Sequence, residues 1–95
     1  MNYLQTFPNY DRKLIEIEGF QDTSWKNDVC PSISKGRIQV YCNYLDPKKR
    51  EIEDSSLYYC FLYSKNQKGF DEPIKELGTD NISDVLDFIK QNEEK

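Results

Sequence analysis

From Arg37 to Leu45 apolar side chains fall on every second residue, with Ile38, Val40, Cys42 and Tyr44 on one side and Gln39, Tyr41 and Asn43 on the other. That is the period of an extended strand with one buried face. A second run, Leu57-Tyr58-Tyr59-Cys60-Phe61-Leu62-Tyr63, is also strand-like, but neither of its alternating sets is polar. The two sets of a strand point to opposite faces of its sheet, so this run either needs cover on both faces or leaves one for a partner. Ile15 and Ile17 alternate with Glu16 and Glu18, which predicts a half-buried strand over 13–20 weakened at its far end by Gly19. Phe70 to Leu77 is expected to return as a fourth strand, held to a sheet edge because Pro73 has no N–H for a ladder. Asp80-Asn81 then precedes Ile82, Val85, Leu86 and Ile89 at helical spacing, with Asp84 in the first turn, where the helix dipole favours an anion.

The remaining segments read as connections. An N-terminal arm over 1–12 carries Tyr3, Leu4, Phe7 and Tyr10, but Pro8 stops any helix there after one turn. Residues 21–32 are rich in side chains that bond their own backbone and predict a structured loop. Asp46-Pro47-Lys48-Lys49 supplies a turn, residues 48–54 a solvated connection, and residues 91–95 a polar, frayed tail.

These elements predict one α+β domain over 1–95, an antiparallel meander of three or four strands with one C-terminal amphipathic helix packed on one face. The expected core sets Ile82, Val85, Leu86 and Ile89 against Ile15, Ile17, Ile38, Val40 and Cys42. Each such buried side chain contributes roughly 1.5 to 3 kcal/mol, enough for a core that needs no cofactor or metal. One helix covers one face, so the other is expected to display Glu16, Glu18, Gln39, Tyr41, Asn43, Tyr59, Phe61 and Tyr63. Tyrosine combines a large contact area with a low entropy cost and an orienting hydroxyl, which suits a face for binding protein. Two alternatives compete: the N-terminal arm folds over this face, or a second copy covers it in a homodimer. Trp25, alone in its loop, is expected either to anchor that loop in the core or to join the binding surface.

At 95 residues the chain is too short for two well-buried cores, and its 37% hydrophobic content suits a thin one. Seventeen acids against 13 bases give a net charge of −4, without the basic patch that nucleic-acid binding needs. A mildly acidic surface leaves an alternative role, that of a nucleic-acid mimic of the anti-CRISPR type. The start of the chain lacks the features of a secretion signal, no apolar segment has membrane length, and three cysteines form an odd set, so a cytoplasmic location is expected. Alanine is absent and lysine greatly outnumbers arginine, a bias that suggests an AT-rich coding sequence of bacterial or phage origin.

The residue types exclude most catalytic chemistry. With no histidine there is no Ser-His or Cys-His pair, and four glycines scattered singly make no phosphate cradle. Glu16 and Glu18 lack a cleft that would make them an acid pair. Asp22, Asn27 and Asp28 do not reproduce a calcium loop and read better as turn formers. Cys42 and Cys60 fall in strands as small apolar fillers, whereas Cys30, beside Pro31, is expected in a more exposed loop. A small enzyme or metal binder built on Cys30 and the Asp22–Asp28 loop is therefore the remaining alternative to a non-enzymatic inhibitor or accessory factor acting through its tyrosine-rich face.

Overall fold

The computed structural model describes residues 3–25, 28–52, 54–63 and 73–93. Five strands, β1 (Gln21–Asp22), β2 (Ser32–Lys35), β3 (Ile38–Cys42), β4 (Tyr58–Leu62) and β5 (Lys75–Thr79), form one antiparallel sheet in the order of the chain. A short helix α1 (Tyr3–Thr6) precedes them and α2 (Ile82–Asn92) follows, packing on β3, β4 and β5. This is the expected α+β meander, with five strands rather than three or four.

Two strands were not expected, β1 at the start of the segment read as a loop over 21–32 and β2 at its end, which pairs with β3 from Ser32 opposite Tyr41 to Lys35 opposite Ile38. Gly36 stands at the first central position of the intervening two-residue turn with φ 57°, a left-handed conformation open to glycine and costly for other residues. The strand expected over 13–20 does not form. Ile17 carbonyl accepts from Phe20 N–H at 2.9 Å in a turn where Gly19 has φ 84°, and only Gln21–Asp22 reach the outer edge of β2. Ile15 and Ile17 still pack against the core, so their alternation marked burial without a ladder.

β5 is the edge strand anticipated after Pro73, shifted to Lys75–Thr79, with Leu77 opposite Cys60. The part of the proposed strand over 70–72 lies outside the described residues. The helix starts as read, although Thr79 supplies its N-terminal bonding. Thr79 Oγ1 donates to Asp84 Oδ2 at 2.6 Å and accepts from Asn81 N–H at 3.1 Å, while the Asn81 side chain makes no cap bond. Its buried stripe is Val85, Phe88 and Ile89; Ile82 and Leu86, expected in the core, are 43% and 48% exposed. The helix is rotated relative to that expectation so that Phe88, the largest side chain of its stripe, meets the sheet. It continues through Gln91 and Asn92, where fraying was expected, and Glu93 pairs with Lys35 at 3.7 Å.

The core lies on one side of the sheet. Ile33, Ile38, Val40, Cys42, Tyr58, Cys60 and Leu62 point to that side and are buried. The N-terminal arm packs there beside α2 instead of crossing to the tyrosine face. Phe7, Tyr10 and Leu14 join the core cluster, and the Tyr10 ring meets those of Tyr3 and Tyr44 edge-on at 5.8 and 5.3 Å. Arg12 lies over the Tyr58 ring at 5.5 Å and donates to its hydroxyl at 2.9 Å. Asp11 fastens the arm to the far end of β3, its carboxylate accepting from Leu45 N–H at 2.8 Å and Asp46 N–H at 2.7 Å. Arm and helix thus share one face, and no described element crosses the other.

Candidate functional site

The opposite face follows from the register. Tyr41 stands across from Tyr59 and Gln39 across from Phe61, so their side chains share that face with Tyr63, Ser32 and Ser34. Tyr41, Tyr59, Phe61 and Tyr63 are all partly exposed. The rings of Tyr41 and Phe61, diagonal neighbours across two strands, meet at 5.5 Å with planes 81° apart, and Phe61 lies 6.5 Å from Tyr63.

Hydrogen bonds hold the Tyr59 and Tyr63 rings in place. Tyr59 Oη accepts from Ser56 N–H at 2.8 Å, and Tyr63 Oη donates to Gln39 Oε1 at 3.3 Å. Gln39 Nε2 donates in turn to Ser32 Oγ at 3.3 Å, which lies 3.1 Å from Thr23 Oγ1. Gly78, opposite Tyr59 on β5, leaves room for that ring: a Cβ there would come within 3.1 Å of Tyr59 Cε1 and 3.3 Å of Ser56 Oγ. The absent side chain shapes the face.

Two loops rise beside the rings and turn part of the face into a cavity of about 400 Å³. Tyr41, Tyr59 and Phe61 line it from the sheet, Asp28, Val29 and Cys30 from one loop, and Glu51, Ile52 and Ser55 from the other. Ile52 and Val29 are 67% and 51% exposed, so the rim presents free apolar side chains next to two carboxylates. Burial pushes the Tyr41 hydroxyl up to about 12 and raises the Asp28 carboxyl above its ordinary value. Both stand in a site partly withdrawn from water.

The remaining residues named from the sequence fall elsewhere or act differently. Asn43 is buried and structural: its amide donates to Ser55 Oγ at 2.9 Å and Ser56 carbonyl at 3.1 Å, and its carbonyl accepts from Tyr44 N–H at 3.2 Å. It fixes the second loop against the sheet and also lines the cavity, on the same strand face as Tyr41. Glu16 and Glu18 are exposed but do not lie on this face, because the 13–20 segment is not a strand of the sheet; Glu16 pairs with Lys13 at 3.7 Å. Trp25 is 49% exposed and does not anchor its loop in the core. Its carbonyl accepts from Asp28 N–H at 2.9 Å, which places it at the base of the first loop, outside the cavity lining. Asn27 lies outside the described residues.

Cys30 also departs from expectation. It is 2% exposed, because Pro31 carbonyl accepts from Cys42 N–H at 2.8 Å and draws the segment into the sheet. Burial pushes its thiol up to about 12, far from the thiolate that reactivity requires. Asp22 is spent on backbone bonds, Oδ1 accepting from Ser24 N–H and Oδ2 from Tyr3 N–H. No group of three or more histidine, cysteine or acidic side chains that could hold a metal occurs among the described residues. Nor is any described helix long and apolar enough to cross a membrane.

Val29, Glu51 and Ile52 were not identifiable from the sequence as part of a site. Ile52 stood in a charged connection, and its one usable signal was an apolar residue amid Lys, Arg, Glu and Asp with no core partner by period. Comparison with protein-family models, curated proteins and solved structures finds no match to this chain.

Proposed function

We propose that this protein is a small non-enzymatic protein-binding module, acting by occlusion as an inhibitor or accessory factor through the aromatic cavity on its uncovered sheet face. One observation carries the proposal: among the described residues the arm and α2 both lie on the same side of the sheet, while the opposite side holds a group of aromatic rings around a concavity. A cavity of about 400 Å³ falls within the usual range of ligand sites, and rings held by hydrogen bonds lose little freedom when a partner docks. Tyr41, Tyr59, Phe61 and the rim residues Val29 and Ile52 would make the contact. Trp25 and Tyr63 would extend it.

The cytoplasm suits a chain whose three cysteines are free and buried, and the composition favours a bacterial or phage source. A peptide-display selection against the full chain tests the binding role. Recurrent sequences whose affinity falls by about 2 kcal/mol or more in Tyr41→Ala and Phe61→Ala are expected, since central aromatic contacts dominate such interfaces. Selection that enriches nothing, or sequences that bind both variants as tightly as the native chain, would overturn it.

A further inference from the structure

The charged side chains that line the aromatic cavity among the described residues are acidic. Asp28 and Glu51 line it, one from each flanking loop, and no lysine or arginine does so among the described residues. In the same cavity the Tyr41 and Phe61 rings stand nearly perpendicular, forming a corner of two aromatic walls with Tyr59 alongside. The negative faces of aromatic rings attract a cation, most strongly where the site is partly dry. A carboxylate partly withdrawn from water, as Asp28 is, gains from a positive neighbour.

We propose that the cavity recognises an ammonium-bearing side chain, lysine or N-methylated lysine, presented by an extended segment of the partner protein. The ammonium sits in the aromatic corner of the cavity that the two carboxylates line, and the aliphatic stem and flanking residues lie on Val29 and Ile52. A second copy of this chain docking about a two-fold axis would bring the same acidic rim against itself, which disfavours the homodimer as occupant. The proposal rests on the protein-binding reading and adds to it the chemistry of the contact.

The test is an NMR titration of the full chain, reading the aromatic signals of Tyr41, Tyr59 and Phe61. Three probes are compared: N-acetyl-trimethyllysine methylamide, N-acetyl-lysine methylamide, and the neutral analogue of the first with carbon in place of the ammonium nitrogen. Shifts centred on those three rings are expected with a cationic probe, with the neutral analogue at least tenfold weaker. The double variant Asp28→Asn, Glu51→Gln should lose about tenfold for the cationic probes, leave the neutral analogue unchanged, and keep its melting temperature. Equal binding of charged and neutral probes would overturn cation recognition while leaving an apolar docking site. No response of the three rings to any cationic probe would overturn it as well. So would a concentration-dependent doubling of mass with these rings in the contact.

Discussion

Raising the pH titrates the core from within. Cys30, Cys42 and Cys60 are 2%, 0% and 0% exposed, and burial pushes their thiols from an ordinary value of 9.0 up to about 12, about 12 and about 11. Between pH 9 and 11 each thiol keeps its proton in the folded chain and releases it in the unfolded one. The folded state therefore binds more protons, so stability falls as pH rises; it is fully present below pH 9 and lost on the way up through the folded values. Each group contributes a slope of about 1.4 kcal/mol per pH unit, so three give roughly 4. Two units above pH 9 this removes up to about 8 kcal/mol, enough to exhaust a small domain stable by about 5 to 8 kcal/mol. Burial of the Tyr41 hydroxyl, pushed up to about 12, steepens the fall above pH 10.

Urea unfolding followed by far-ultraviolet circular dichroism, under reducing conditions at intervals from pH 7 to 10.5, measures this slope directly. Cys60→Ala should lower the starting stability and flatten the slope by about a third. A stability that stays level from pH 9 to 10.5 would refute the burial of all three thiols. Rapid labelling of Cys30 by a thiol reagent at pH 7.5 would do so for that residue, and would revive a reactive-cysteine role.

Other substitutions test separate parts of the account. Tyr10 Oη is buried with no hydrogen-bond partner among the described residues, so Tyr10→Phe should leave stability unchanged or raise it by about 1 kcal/mol in urea melts; an equal loss would reveal a bonded hydroxyl. Gly78→Ala should shift the Tyr59 ring resonances and weaken any ligand of the cavity several-fold while costing no more than about 1 kcal/mol of stability, because the new methyl meets a side-chain ring rather than backbone. Unchanged Tyr59 signals would contradict the close approach. Burial alone would raise the Asp11 carboxyl, but the N–H groups of Asp46 and Leu45 outweigh it and hold it below its ordinary 3.8. The contribution of Asp11 is therefore present above pH 4 and disappears as pH falls through its lowered folded value, so Asp11→Asn should be less stable than the native chain at pH 7 and converge with it as the pH is lowered through that value.

The sequence carried the central elements because their patterns were clean. β3 alternates over five residues, β4 is an unbroken apolar, aromatic run of strand length, Pro73 marked an edge strand, and Asp80-Asn81 marked the helix start. β2 was hidden because Ser-Ile-Ser-Lys contains one apolar residue; its serines face the aromatic side and its backbone bonds place it in the sheet. The 13–20 segment misled for the converse reason, since its alternation serves packing alone. Which face the arm covers depends on contacts far apart in the chain, such as Arg12 on Tyr58 and Asp11 on Asp46, which no local pattern encodes. Of the candidate surface, Tyr41, Tyr59, Phe61 and Tyr63 followed from period alone. The rim depended on loops whose positions are set by Asn43, a residue that looked like part of the surface and also supports it.

The central claim is that arm and helix cover one face of the sheet and that, among the described residues, no element covers the aromatic face in a single chain. Relaxation of the tyrosine ring signals by a soluble paramagnetic probe, recorded on the monomer at a concentration verified by solution mass, tests it most directly. Tyr41, Tyr59 and Tyr63 should relax strongly while Tyr10, Tyr44 and Tyr58 stay protected. Protection of Tyr41 and Tyr59 equal to that of Tyr58 in the monomer would contradict the claim and remove the binding site with it.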